Sequence, residues 1–131
     1  MSFESIANSI TTYFHGVATA NNFVVRFDND PRDTPADRPW IQTNVDFGDS
    51  RQFEIGVSSF RNVGIFNAMI YISIGQGIAG ALSVADVIAS AFRTTVIDGT
   101  INFQTPRIVN VGRVDDNWQV SVLCPFFVDE N

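Results

Sequence analysis

The stretch MIYISIGQGIAGALSVADVIASAF, Met69 to Phe92, decides how this chain is read. Its opening, MIYISI, is a run of strand-forming residues. Further on, Val84, Val87, Ile88, Ala91 and Phe92 recur at the spacing of one helix face. Between the two, Gly75, Gly77 and Gly80 spell G-x-G-x-x-G. Strand, glycine loop and helix in this order match the dinucleotide fingerprint, in which NH groups at the helix start hold a pyrophosphate. Asp98 stands 98 − 80 = 18 residues beyond the third glycine, roughly where such a site places its ribose-binding carboxylate.

Two considerations weigh against a cofactor loop. Ser83 with Asp86 three residues later reads as a helix cap, a capping box with Asp in place of Glu. That cap would leave Gly75 and Gly77 several residues upstream of the first helical turn. The fingerprint also belongs to a parallel sheet built from repeated βαβ units. Here one strong helix stands between strands, and the remainder reads as hairpins. The glycines are therefore expected to be punctuation between a long strand and a helix.

Working outward, Phe3, Ile6, Ile10, Phe14 and Val17 form a helical stripe, with Ser2 as N-cap and Glu4 near the positive end of the dipole. Gly16 and Asn21-Asn22 are its stop signals. Phe23, Val25 and Phe27 alternate as a strand. DNDPRDTPADRP, residues 28–39, has three prolines and reads as a charged loop or arm. Ile41, Thr43, Val45 and Phe47 form a second strand, closed by the turn signal Gly48-Asp49-Ser50. Phe53, Ile55 and Val57 alternate again, and residues 62–74 read as a long strand with a bulge near Gly64. Residues 48–61 are then the tip of a long hairpin. Short strands near 94–97 and 101–104 follow the helix, and PRIVNVGRV pairs with NWQVSVLCPFF across Asp115-Asp116-Asn117. The sum is an α+β fold: one domain over residues 1–131, a largely antiparallel mixed sheet, and two main helices packed on one face.

Composition narrows the function. Hydrophobic residues make up 45% of the 131, including 12 Phe, enough for a core without disulfides or metal. Charged residues are only 17%, which suggests surface buried in an assembly. All eight basic residues are Arg, the cation suited to interfaces. The formal net charge of −6 makes the chain a poor ligand for phosphate backbones. The single cysteine, Cys124, excludes an internal disulfide and reads as a small core residue. The acidic start MSFESIANSITTYF is not a signal peptide, and no apolar run approaches the roughly 18 residues of a membrane span.

No catalytic constellation emerges. His15 is the only histidine, with no second ligand near it in sequence. Asp28, Asp30 and Asp33 begin like a calcium loop, but Asp33 and Pro39 stand where Gly and Glu are required. Asp115-Asp116 reads as a hairpin tip. We therefore expect no enzyme activity, no cofactor and no metal. The candidate functional residues are interface residues: Arg32, Asp33, Arg38 and Trp40 in and after the arm; Asp49, Arg51, Phe53 and Arg61 around the hairpin tip; and Arg113 in the last hairpin.

In its layout the chain resembles the tail terminator (tail-completion) proteins of long-tailed bacteriophages. An N-terminal helix is followed by WIQTNVDFG, by the arginine-bearing hairpin RQFEIGVSSFRNVG, by a strand ending at a glycine turn, by the helix ADVIASAF and by the closing strands GTINFQTPRIVNVGRVDDNWQVSVLCPF. The resemblance covers nearly the whole chain and rests on pattern and order. It implies a homo-hexameric ring that caps the tail tube, ends its polymerisation and joins it to the head. The implied partners are further copies of itself, the tail tube protein and a head-completion or neck protein. DNA would pass through the channel without specific binding, and no membrane is involved. The implied location is the neck region of the virion tail, after assembly in the host cytoplasm. A different head–tail connector, neck or tube ring is the alternative, and a small dinucleotide-binding domain is the remote one.

Overall fold

The computed structural model describes residues 2–26, 39–52, 60–75, 77–114 and 117–130, with backbone alone at 49–52, 60 and 130. Among them are two helices, α1 (Phe3–Ala20) and α2 (Ala79–Phe92). Seven strands complete the fold: β1 (Val24–Arg26), β2 (Trp40–Gln52), β3 (Phe60–Ser73), β4 (Val96–Ile97), β5 (Ile101–Phe103), β6 (Arg107–Val114) and β7 (Asn117–Glu130). They form one sheet in the order β1-β2-β3-β7-β5-β4, with β6 also paired to β7. Only β1 and β2 run parallel; every other pair is antiparallel. This is the α+β architecture expected from the sequence.

Strand parity builds the core. Ile41, Thr43, Val45 and Phe47 of β2 stand opposite Ile70, Ala68, Phe66 and Gly64 of β3. Those β3 residues stand in turn opposite Val120, Val122, Cys124 and Phe126 of β7. Alternate residues of a strand share a face, so all of these side chains line one side of the sheet. Both helices cover that side. Helix α1 buries Ile6, Ile10, Phe14 and Ala18. Its Ser2 cap accepts a hydrogen bond from the Ser5 NH at 3.1 Å, as expected. Phe14 of α1 and Phe92 of α2 both meet Phe66 of β3, with ring centroids at 5.3 and 4.9 Å. Phe92 continues to Phe103, Phe103 to Phe126, and Phe126 to Phe47, a spine of rings with centroids 4.9, 5.4 and 6.1 Å apart.

Three local expectations are corrected. Helix α2 begins at Ala79, so Ser83 lies a turn inside it, and the N-cap position is Ile78, without a side-chain cap. Its buried face is Ala81, Ala85, Ile88, Ala89 and Phe92, leaving Val87 exposed. Three alanines let this helix lie close to the sheet, so packing distance rather than the sum of apolar side chains chose the face. Secondly, Gly48-Asp49-Ser50 is not a turn. Strand β2 runs on to Gln52, and the register jumps from Phe47 opposite Gly64 to Ser50 opposite Asn62. Two β2 residues thus face Val63 alone, a bulge. It lies beside Gly64, as expected, but the extra residue is in β2. Positions 48–52, expected at the hairpin tip, thus belong to the strand; the strand expected at Phe53, Ile55 and Val57 falls outside the described residues. Thirdly, Gly16 does not stop α1, which continues to Ala20.

Gly64 is required by contact. A Cβ there would meet the Phe126 ring at 2.5 Å and the backbone oxygen of Asp46 at 2.7 Å. Gly64→Ala is expected to destabilise the protein by about 3 kcal/mol, the upper part of the overpacking range, because a backbone oxygen cannot swing aside. Gly16, mid-helix with nothing within 4 Å of its would-be Cβ, is the control. Gly16→Ala should stabilise by about 0.5–1 kcal/mol, and urea unfolding of both variants checks the pair.

Burial pushes the Cys124 thiol up to about 12 from an ordinary 9.0. The folded state thus holds this proton more tightly than the unfolded chain. Its contribution to stability is constant below pH 9 and is lost as pH rises towards 12. Thiol reagents at pH 8 are expected to label Cys124 only on unfolding, and Cys124→Val should flatten the alkaline fall in stability. Rapid labelling of the folded protein would contradict this placement.

Candidate assembly interface

The glycine loop lies in an antiparallel setting, unlike the parallel sheet of the dinucleotide fingerprint. Gly75 and Gly77, at φ 91° and 74°, swing the chain from β3 into α2. Because α2 starts at Ala79, Gly77 does lie close to the first turn, and the spacing argument against a phosphate loop fails. The topology argument holds: β3 has antiparallel neighbours on both sides. The hollow beside the loop, about 210 Å³, is lined by Ile72, Ser73, Gly75, Gly77, Ile78 and Trp118. It is smaller than an ordinary ligand site. Asp98 lines a different hollow, with Asn8, Ser9, Thr12, Tyr13 and Ile97, and turns the chain between β4 and β5 at φ 55°. Among the described residues, no three His, Cys, Asp or Glu are grouped to hold a metal ion, and no helix is long and apolar enough to cross a membrane.

With both helices on one side, the other side of the sheet carries no helix among the described residues. Parity brings Gln42, Asn44 and Asp46 of β2 to it, with Asn67, Ile65, Val63 and Arg61 of β3 and Ser121, Leu123, Pro125, Phe127 and Asp129 of β7. Near the hairpin end, Arg61 grips Asp129 with both arms of its guanidinium, Nε to Oδ1 at 2.8 Å and Nη2 to Oδ2 at 3.0 Å. The same guanidinium lies 4.2 Å from the centre of the Phe127 ring. The Asp129 hydrogen bonds raise the Arg61 pKa further above its ordinary value. This cluster is solvent-facing, with the two side chains 44% and 38% exposed, so it organises a surface more than it stabilises the fold.

The other sequence candidates fall in different places. Arg51 is opposite Arg61 in the register, and Asp49 is in the β2 bulge. Trp40 is 6% exposed and stacks on Tyr71 with centroids 4.4 Å apart. Its Nε1 has no hydrogen-bond partner among the described residues. Arg113 is exposed on β6, opposite Trp118 and remote from the Arg61 cluster. Arg32, Asp33, Arg38 and Phe53 lie outside the described residues. The register thus places Arg51 across from Arg61, while Arg113 lies opposite Trp118 in the last hairpin. Sequence reasoning missed Asp129 and Phe127, because only pairing of β3 with β7 brings them to Arg61. It also missed the exposed apolar residues Phe3, Ile65, Ile108 and Val111, which no local pattern separates from core positions.

None of the curated proteins matches the chain. A solved structure with 18% sequence identity superposes with a TM-score of 0.77, covering 98% of this chain and 96% of that one, which shows a shared fold. The sequence model described as phage tail terminator protein matches residues 5–126, from the first turn of α1 to the middle of β7. A match over nearly every element places the chain in the phage tail terminator family, a family of structural components of the bacteriophage virion tail.

Proposed function

We propose that six copies of this chain close into a ring that caps the finished tail tube, stops further addition of tube subunits and presents the surface to which the head is joined. Membership of the terminator family carries this reading. The surface supports it: a chain with only 17% charged residues has a helix-free sheet face and exposed Phe3, Ile65, Ile108 and Val111 to cover. A ring is made by a heterologous interface, in which one patch meets a different patch on the next copy until the rotation closes. Typical interfaces hide about 800 Å² per partner, so two neighbours would cover roughly a fifth of a subunit exposing 7411 Å².

The partners are the tube protein on one side and a head-completion or neck protein on the other, in the neck of the virion, after assembly in the host cytoplasm. Arg51, Arg61 and Arg113, with the arm residues Arg32, Asp33, Arg38 and Trp40 and the hairpin residues Asp49 and Phe53, are the proposed contact set. Six copies at −6 each carry −36, so charge near the channel wall lets DNA slide past without binding.

The expected mass of the purified protein is six subunits at high concentration, and added protein should halt the growth of polymerising tube protein at a fixed length. A monomer at every concentration, with no effect on tube growth, would remove the reading, and an open filament would make the chain a tube subunit instead. The double variant Arg51→Ala/Arg61→Ala should keep its unfolding midpoint and lose ring or tube binding. Unchanged assembly would take these two residues out of the contact set.

A further inference from the structure

Among the described residues, the sheet has two long edges without a strand neighbour, one at each side. Strand β1 pairs with β2 only at Trp40, Ile41 and Gln42. From Thr43 to Gln52 the outer edge of β2 faces no strand among the described residues. On the other side, β6 pairs with β7 alone. Open edges present rows of unpaired NH and carbonyl groups, and proteins commonly blunt them with lysine, proline or like charge. Strand β6, RIVNVGRV, has no Lys, no Pro and no acid; it carries two Arg and a bulge between Asn110 and Gly112, and it exposes Ile108 at 38% and Val111 at 48%.

The two edges are complementary. Strand β6 carries Arg107 and Arg113, whereas the free stretch of β2 brings Asp46 and Asp49 before its single Arg51. The faces match too. Arg107 is opposite Leu123, and Asp46 opposite Ile65, so both stand on the helix-free side. Ile108 is opposite Val122 on the helix side, where the β2 edge offers Phe47 stacked on the half-exposed Phe3 at 4.5 Å. Charge would meet opposite charge on one side, and apolar surface would meet apolar surface on the other.

We propose that neighbouring copies join by pairing the β6 edge of one with the free β2 edge of the next, continuing a single sheet across the junction. The proposal rests on the ring reading and names the contact that makes the ring. The two edges are different, so the contact is heterologous and head-to-tail, the kind that closes a ring. They are also staggered: Arg107 shares a row with Asn44 through Leu123 and Asn67, while the free β2 edge runs on towards Gln52. A closed ring takes up such a stagger by tilting its strands against the axis, as barrels do. The β6 edge is about 27 Å long at 3.3–3.4 Å per residue, enough for several backbone hydrogen bonds.

Hydrogen exchange of the full chain, assembled and diluted, tests this. Peptides covering 43–52 and 107–114 should both exchange more slowly in the ring. Charge reversal adds a readout of partner choice. Arg107→Glu and Asp46→Arg are each expected to raise the concentration needed for assembly by about tenfold, and the double reversal to restore most of it. Circular dichroism and an unlabelled Cys124 confirm that each variant is folded. If the wild-type ring forms while both peptides exchange as in the monomer, or if the double reversal restores nothing, edge pairing is overturned and the ring reading stands. If no ring forms at any concentration, both fall.

Discussion

The structure depends on the register of β3 between β2 and β7. Fourteen consecutive β3 residues from Phe60 to Ser73 have partners in β7, and the β2 register covers most of the same stretch. A slip of one residue would turn Phe66, Ala68, Ile70 and Ile72 away from the helices and bring Ile65, Asn67, Met69 and Tyr71 to the core. Gly64 helps to lock the register, because only there can the Phe126 ring cross the strand and reach Phe47. The helices then follow. Phe14 and Phe92 dock on Phe66, and the Tyr13 hydroxyl donates to the Ala91 carbonyl at 2.6 Å, tying α1 to α2.

That one-sidedness has a functional consequence. With both described helices on one face, the other face and the outer edges of β2 and β6 are available to the contacts proposed for this chain. A tail component of this family meets other tail and head proteins, and the ring proposed for it would add a contact with its own kind. The described residues supply surfaces of unlike character. These are the Arg61–Asp129–Phe127 cluster at the hairpin end, the acidic β2 edge and the arginine-bearing β6 edge.

Much of this was readable in the chain. Period-two alternation located β2, β3 and β7, and period 3.6 located both helices, because those repeats record which side of each element meets the core. Boundaries were less readable. Ser83 looked like a cap, yet α2 begins at Ala79, because the glycine turn and the close fit of Ala81 and Ala85 outweigh a side-chain cap. Gly48-Asp49-Ser50 looked like a turn, yet the pairing of β2 with β3 carries the strand through it as a bulge. In both cases a local signal yielded to tertiary contact.

The sequence by itself determined the α+β class, the largely antiparallel sheet and the resemblance to tail terminators. Those follow from composition, periodicity and element order, which are local or additive properties. Only the tertiary structure decided which residues stand together. Arg61 meets Asp129 across 68 positions of sequence, Gly64 lies beneath Phe126, and Arg107 and Asp46 come to the same face at opposite edges. The reason is that a strand's pattern states which residues point the same way, while the choice of neighbour and register is made by the packing of the whole sheet.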